Sequence, residues 1–192
     1  PLFHWIFARV SGQLCHGAVV GKNGRGLMLI GKGGSGKSTT SLLCLSRGWQ
    51  YCGDDYVLVQ GERAISLYGT AKLVERACPR FQAMAHRQER ARDGTGKGKV
   101  VIWLDSSRIT PELSLQCLVV ASVSPQGTTS LESCSEAVAL QALAPTTMLQ
   151  LPAAGQASWK RLGRIVSGRP CYRLWLGQQP EEILRQLDAL VD

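Results

Sequence analysis

The sequence has few aromatic residues, few acidic residues and no long apolar segment, and these absences exclude several classes of protein. No apolar run approaches the ~20 residues that a helix needs to cross a bilayer, so no membrane partner is expected. Aromatic residues make up only 6% of the chain and are not interleaved with basic ones, so no nucleic-acid partner is expected. The collagen glycine repeat is missing, and an apolar content of 44% is too high for a disordered chain.

Close cysteine pairs are also absent, although the chain has 7 cysteines. A small secreted disulfide scaffold would be denser in cysteine, and a zinc site would show Cys-x-x-Cys pairs. No cluster of His, Cys and acidic residues has metal-ligand spacing. The segment Leu2–Val10 contains His4 and Arg9 and does not match a signal peptide. We therefore predict reduced, buried thiols in a cytoplasmic protein.

The 192 residues suit one domain with a sizeable core, and we predict a single domain over 1–192. Acidic residues number 14 against 22 Lys and Arg, which gives a net charge of +8. Much of the excess lies in residues 72–108, with nine basic and four acidic groups, and in residues 158–173, with five basic groups. Such positive blocks favour an acidic partner.

The pattern of apolar residues and turn signals predicts an α/β fold. Predicted strands cover Leu14–Val20, Gly26–Ile30, Tyr51–Gln60, Val100–Leu104, Leu115–Val123 and Tyr172–Leu176. Predicted helices cover Lys37–Arg47, a segment from the capping box Ser133-x-x-Glu136 to Leu143 that ends at Pro145, and about 180–191. The polar, glycine-rich residues of about 84–99 predict a mobile basic loop.

A phosphate-binding P-loop stands at Gly31–Ser38, where the sequence GKGGSGKS matches G-x-x-x-x-G-K-[ST]. Glycines allow successive backbone N–H groups to surround phosphates, and the N-terminus of the following helix adds partial positive charge. An apolar strand before the motif and a helix after it are the context that the motif requires. The prediction is a nucleotide site formed by Gly33, Gly34, Ser35, Gly36, Lys37, Ser38 and Thr39, with the Ser38 hydroxyl as a Mg²⁺ ligand.

A P-loop enzyme needs an acid to order the metal or the attacking group, and Asp54-Asp55 are the candidates. Adjacent carboxylates on a straight strand point to opposite faces. They would meet one phosphate only if the strand bends, which Gly53 permits. Their mutual repulsion raises one pKa and suits that carboxylate to proton transfer.

These motifs resemble HPr kinase/phosphorylase and its relatives, in which a His-Gly pair precedes the P-loop and paired aspartates follow its helix. The matching residues here are His16-Gly17, Gly31–Ser38 and Asp54-Asp55. The resemblance implies a P-loop kinase core of the HPr kinase / phosphoenolpyruvate carboxykinase type, a mixed sheet flanked by helices. It also implies ATP, Mg²⁺ and a serine-containing acceptor. By the resemblance Asp54 is the catalytic base, Asp55 serves the metal, and His16 and Lys37 lie at the phosphates.

The later part of the chain is similar to the smaller HPr kinase-like proteins that accompany peptide-modifying gene clusters, including those making lasso peptides. It departs from the bifunctional family, because Leu67–Leu73 replaces a glycine-rich signature and the length leaves no room for a separate N-terminal domain. Phosphorylase activity and HPr as acceptor therefore stay open. Lys72 and Arg80 are candidates for binding the acceptor or a phosphate, or else solvated surface charges.

Four functions are compatible with these residues. The first is a kinase of a serine or other hydroxyl in a peptide or small protein, possibly a ribosomally made precursor. The second is a kinase of a small metabolite such as free serine. The third is a nucleotide-binding ATPase module without an acceptor, and a nucleic-acid-dependent ATPase ranks last. The sequence leaves the oligomeric state open, a homo-oligomer included.

Overall fold

The computed structural model of the chain describes Ile6 and residues 12–90, 98–149 and 155–191. In chain order the strands are β1 Gln13–Cys15, β2 Ala18–Lys22, β3 Arg25–Ile30, β4 Gln50–Gly53, β5 Val57–Gln60, β6 Arg63–Ile65, β7 Thr70–Val74, β8 Ala85–Arg90, β9 Lys99–Leu104, β10 Glu112–Val123, β11 Ser130–Ser133 and β12 Cys171–Leu176. The α-helices are α1 Lys37–Ser46, α2 Glu136–Met148, α3 Gln156–Val166 and α4 Pro180–Asp188. Two 3-10 helices span Glu75–Met84 and Ser106–Arg108.

A mixed sheet of nine strands forms the centre of the fold within the described residues, with β10 as its axis. The order β1-β5-β6-β10-β3-β2-β4 is extended where β10 also pairs with β12, and β12 pairs with β11. Strand β10 runs parallel to β3 and β12, whereas the other pairs are antiparallel. Because β3, β10 and β12 end at the same edge, the loops that follow them lie together.

Apolar residues cover both faces of this main sheet, as the continuous apolar run of β3 predicts. On one face, Leu27 and Leu29 pack in a cluster with α1, α4 and a small three-stranded sheet of order β7-β9-β8. On the other face, Met28 and Ile30 pack in a cluster with α2 and α3. The predicted α/β class, a mixed sheet flanked by helices, is confirmed.

Two predicted strands are broken where the site residues lie. The strand expected over Leu14–Val20 divides into β1 and β2 at His16-Gly17, and the strand expected over Tyr51–Gln60 divides into β4 and β5 at a bend. Each break separates pairings with different neighbours, since β2 and β4 pair together while β1 and β5 pair together. Alternating hydrophobicity alone does not reveal such a change of partner.

The mobile basic loop predicted over 84–99 is wrong for the residues that are described. Residues 85–90 form β8 and Lys99 begins β9, which pairs with both β7 and β8. Backbone pairing stabilises β8 although its side chains are mostly exposed, so its polar sequence misled the prediction. Residues 91–97 lie outside the described residues.

The predictions for both ends of helix α2 are wrong. Its N-cap is Ser135, whose hydroxyl accepts the Val138 N–H, rather than Ser133. The helix continues past Pro145 to Met148, and the Thr146 hydroxyl bonds to carbonyls of the preceding turn. Proline removes one backbone hydrogen bond, and these side-chain bonds together with burial of the last turn offset that loss.

Helix α4 begins at Pro180 as predicted but ends at Asp188, so the predicted end at 191 is three residues too late. Its apolar face is confirmed by the burial of Ile183, Leu184 and Leu187. All seven cysteines are free, and six are buried, as predicted. No helix in the described ranges is long and apolar enough to cross a membrane.

Candidate functional site

The P-loop connects β3 to α1 at the edge of the main sheet where the parallel strands end. Its turns require glycine at two positions in particular. Gly31 has φ 138°, and Gly36, the N-cap of α1, has φ 99°. A Cβ at Gly36 would lie 2.4 Å from Leu176 Cδ1 at the end of β12. Glycine is therefore required at both positions for the left-handed backbone, and at Gly36 also because the Leu176 side chain lies so close.

Gly33 and Gly34 lie on the open side of the same loop, where an added Cβ would meet no atom within 4 Å. Ser35 is buried, and its amide donates to the Lys32 carbonyl at 3.2 Å. The Thr40 amide closes the first turn of α1 on the Gly36 carbonyl at 2.9 Å. The loop is thus closed towards the core and open towards solvent on its glycine side.

The Lys37 side chain is buried and folds back over the loop. Its Nζ donates to the carbonyl oxygens of Gly31 at 2.8 Å and Lys32 at 3.0 Å. Burial lowers the pKa of Lys37, while the nearby charges of Asp54 and Asp55 raise it. The ammonium therefore lies between the loop and the two predicted acids.

The two acids lie in the bend between β4 and β5. The Tyr56 amide donates to the Asp54 carbonyl at 2.9 Å, and the residue between them, Asp55, has φ 69°. This is a γ-turn with a positive central φ, a strained geometry for a non-glycine residue. The bend was predicted, but it is centred on Asp55 rather than on Gly53. It leaves Asp54 buried, with 1% of its surface exposed, and Asp55 partly exposed.

Asp54 connects the P-loop helix to the small sheet. Its Oδ2 accepts the backbone N–H of Lys72 at 3.2 Å, and the Ser38 side chain hydrogen-bonds to its carboxylate. Burial raises the pKa of Asp54 to about 6, although these two hydrogen bonds oppose the rise. A carboxylate with such a pKa is charged at neutral pH and can still accept a proton.

Two buried oxygens at this site, Ser35 Oγ and Asp54 Oδ1, have no hydrogen-bond partner within the described residues. Most buried polar atoms in proteins have a partner, so this pair marks a place where polar ligand atoms would be accommodated. The Ser38 hydroxyl and the partly exposed Asp55 carboxylate are oxygen ligands of the kind that Mg²⁺ prefers. The residues present therefore fit a magnesium–phosphate group.

Tyr51 is a site component that the sequence did not reveal. Its buried hydroxyl donates to the Thr70 carbonyl at 3.0 Å and lies next to the Ser41 side chain. The Ser41 hydroxyl in turn donates to the Ser38 carbonyl at 3.0 Å. Burial, with a further contribution from Asp54, raises the pKa of Tyr51 well above its usual value. The phenol thus connects β7, whose Lys72 amide bonds to Asp54, with the helix that carries Ser38.

His16 lies beside the acidic turn. Its ring meets the Tyr56 ring edge-on, with the centroids 5.5 Å apart, and its amide donates to Thr147 Oγ1 at 3.0 Å. Burial, followed by the charge of Asp55, raises the pKa of Tyr56 to about 12. Thr147 belongs to the turn of α2 beyond Pro145, so the misplaced helix end concealed this contact.

The remaining predicted residues differ in how close they lie to the P-loop. Lys72 reaches the site through its backbone amide, whereas its side chain is partly buried on the small sheet. Arg80 is exposed on the first 3-10 helix, and its guanidinium lies 5.9 Å from the Phe81 ring centre. Its described contacts do not join it to the P-loop. Thr39 lies in the first turn of α1 and is partly buried. Lys99, which sequence reasoning missed, lies close enough to Lys37 to lower its pKa.

Comparisons with known proteins give a partial sequence match and a structural match. No family model matches the chain. The HPr kinase/phosphorylase of Bacillus pumilus (strain SAFR-032) is 43% identical over 61 residues, which are 31% of this chain and 20% of that protein. The match thus spans about a fifth of the length of this curated relative.

Among solved structures, the HPr(Ser) kinase/phosphatase of Coxiella burnetii aligns with a TM-score of 0.48 and 13% identity, covering 92% of this chain and 95% of the other. The resemblance predicted from the motifs is confirmed at the level of sequence: over about a third of its length, the chain is similar to HPr kinase/phosphorylase.

Proposed function

We propose that the protein is an ATP-dependent kinase that transfers the terminal phosphate to a serine or other hydroxyl of a peptide or small protein. The observation that carries the proposal is the buried Asp54 carboxylate, which hydrogen-bonds to Ser38 of the P-loop and retains one oxygen without a partner. A general base directly beside the phosphate loop is what a kinase requires and a simple nucleotide-binding module does not. The similarity to HPr kinase/phosphorylase supports the same reaction.

The nucleotide site is formed by the P-loop backbone and the first turn of α1. The amides of Gly33–Ser38 and the Thr39 side chain surround the phosphates, and Lys37 exchanges its two carbonyl partners for phosphate oxygens. Ser38 and Asp55 would hold Mg²⁺. When bound, Mg²⁺ supplies positive charge that stabilises the phosphate oxygens during transfer.

In the transfer step, Asp54 accepts the proton of the acceptor hydroxyl. The acceptor oxygen forms a bond to the terminal phosphorus, the bond from that phosphorus to the bridging oxygen breaks, and ADP leaves. Lys37 stabilises the negative charge that develops on the bridging oxygen. The Lys72 amide and Ser38 hold the Asp54 carboxylate in position, and Tyr51 connects the two elements that carry them.

His16 lies beside the acidic turn, with its ring against Tyr56, and both residues are partly exposed. We assign His16 a role at the phosphates or the acceptor. The side chains of Lys72 and Arg80 are proposed to attract an acidic acceptor, Lys72 from beside the base and Arg80 from farther out. A ribosomally made precursor peptide, such as that of a lasso peptide, is one acceptor of this kind. The buried thiols and the use of ATP favour a cytoplasmic location.

The proposal is tested by offering radiolabelled ATP with serine-containing peptides, with free serine and with no acceptor. We expect labelled peptide from the wild-type protein, whereas Lys37→Ala loses transfer. Asp54→Asn should retain ADP binding and lose transfer by about 10²–10⁴-fold, the usual contribution of a positioned base. Lys160→Ala, on the exposed side of α3, is the control and should react as wild type.

Two results would redirect the proposal. Label on free serine alone would favour the metabolite kinase, and phosphate release without any labelled acceptor would favour an ATPase module. Transfer by Asp54→Asn at the wild-type rate would exclude Asp54 as the base.

A further inference from the structure

The small sheet has one face in the core and one face turned outwards. On the inner face, Ala71, Leu73, Val100, Ile102 and Leu104 are buried in the cluster that contains α1. Because successive side chains of a strand point to opposite faces, the alternate residues of β7 and β9 belong to the outer face. We define this outer face by six residues: Lys72, Val74, Arg87, Lys99, Val101 and Trp103.

The outer face exposes large apolar side chains. Trp103 is 44% exposed and Val74 is 37% exposed, and Tyr68, just before β7, is 39% exposed. These three are among the seven exposed large apolar or aromatic side chains of the described residues. Tyr68 also lies near the Tyr56 phenol, because its charge contributes to the raised pKa of that group. Exposed apolar patches of this kind mark interaction sites.

Basic side chains alternate with these apolar ones. In the strand register Trp103 lies opposite Arg87, Val101 opposite Lys72, and Lys99 opposite Val74. Within the described residues of these strands, the one acid that the register places on this face is Glu89, which forms an ion pair with Arg87. The outer face is therefore positively charged overall and complementary to a partner that carries both acidic and apolar groups.

The position of the outer face connects it to the reaction. Lys72 donates its backbone amide to Asp54, so β7, which carries part of the outer face, also contacts the proposed base. From Lys99 to Trp103 the face extends about 13 Å along β9, at roughly 3.3 Å per residue. A single free amino acid would occupy only part of that length, whereas an extended peptide would cover it.

We propose that the outer face of the small sheet docks an acidic peptide segment of the acceptor, with apolar side chains against Trp103 and Val74. Acidic side chains contact Lys72, Arg87 and Lys99, and the hydroxyl to be phosphorylated reaches Asp54. This inference rests on the proposed kinase function and specifies its substrate class. Nucleic acid would also be attracted by the charge, but it offers no aliphatic side chains for Val74, and the experiment includes it.

The test measures fluorescence anisotropy of a labelled peptide in which glutamate and leucine residues flank a central serine. A second peptide carries lysine in place of glutamate. Arg87→Glu and Trp103→Ala change the outer face, and Arg164→Glu and Trp159→Ala are matched controls on α3 across the main sheet. Trp159 is 48% exposed, so its truncation removes a comparable side chain. Thermal unfolding of each variant verifies that it is folded.

We expect the acidic peptide to bind the wild-type protein and the lysine peptide not to bind. Each outer-face variant should weaken binding about tenfold or more, which is the threshold for a dominant interface residue, and both controls should bind as wild type. The proposal is overturned if neither peptide binds, if both bind equally, if the controls weaken binding as much, or if a single-stranded oligonucleotide displaces the peptide with higher affinity.

The same samples, incubated with ATP, separate the two proposals. Specific peptide binding without any phosphorylated acceptor would contradict the kinase function and leave the docking surface intact. Phosphorylation whose KM for the peptide is unchanged by Arg87→Glu and Trp103→Ala would contradict the docking surface and leave the kinase function intact.

Discussion

The two ends of the main sheet differ in whether their polar groups have hydrogen-bond partners within the protein. At the P-loop end, Ser35 Oγ and Asp54 Oδ1 have no partner within the described residues, and Asp55 has a strained backbone. At the other end, a cavity of about 620 Å³ is lined by three arginines, two of which make hydrogen bonds within the protein. Arg161 donates to Gln13 Oε1 at 3.0 Å, and Arg169 donates to three backbone carbonyls, those of Leu115, Ile165 and Gly61.

The buried polar atoms without partners and this cavity therefore lie at opposite ends of the main sheet. An unpaired buried polar group costs about 1–3 kcal/mol, and the P-loop end retains that cost because a ligand can recover it. The arginine-lined end uses its polar groups to join β5–β6, β10 and α3. We therefore expect variants at the P-loop end to affect binding and variants at the arginine-lined end to affect stability.

The largest effect is expected where the P-loop meets the core. Gly36→Ala places a side chain on a residue with φ 99° and within 2.4 Å of Leu176 Cδ1. We expect a loss of about 2–4 kcal/mol in the free energy of unfolding, from left-handed backbone strain and overpacking together. Gly33→Ala, whose Cβ would meet no atom, should change stability by less than about 0.5 kcal/mol. Urea titration measures both, and equal losses would contradict this account of the loop.

At the opposite end, Arg169→Ala should reduce stability by about 2–3 kcal/mol, because three carbonyl groups lose a charged donor. The transfer rate per folded molecule should not change, since Arg169 contacts the start of β10, whereas the P-loop lies at the opposite end of the sheet. Chemical denaturation and a transfer assay on the folded fraction test this. If Arg169→Ala lost transfer while its stability was unchanged, the arginine-lined end would have to be assigned to the reaction rather than to stability.

Asp54→Asn should stabilise the protein while it removes transfer. The pKa of Asp54 is raised from 3.8 to about 6 in the folded protein, so the folded state holds this proton more tightly than the unfolded state. Ionisation consequently reduces stability as pH rises from about 4 to 6, and the reduction stays at higher pH. At pH 7 the neutral amide should be more stable than the carboxylate by about 1–3 kcal/mol, and at pH 4 the gain should nearly disappear. A melting temperature that does not rise at pH 7 would contradict the burial cost.

The smallest effect concerns the pH dependence of transfer. Because only the ionised Asp54 accepts a proton, kcat/KM for the acceptor should fall about tenfold per pH unit below about 6. ADP affinity measured over the same range controls for loss of nucleotide binding. A rate that stays constant from pH 7 to 5 would show that Asp54 is not the titrating base.

Sequence patterns predicted the parts of the site whose geometry is local. The P-loop and the start of α1 depend on glycine backbone angles and on neighbours within a few residues, and Lys37 and Ser38 lie where the motif requires. The helix face of α4 was also predicted, since a 3.6-residue period encodes it. The small sheet was not predicted in full, because β8 is stabilised by pairing with β9 and its own residues favour a polar loop.

The identity of the phosphate loop, the acid pair and the α/β class was therefore determined by the sequence itself, through short-range backbone and spacing constraints. Only the tertiary structure decided which acid is buried, because the burial depends both on the Asp55 turn between β4 and β5 and on the Lys72 amide of β7. It likewise decided that Thr147 would hold His16 and that Tyr51 would connect β7 to α1. These contacts join residues far apart in the chain, and long-range pairing of this kind leaves no periodic signal in a single sequence.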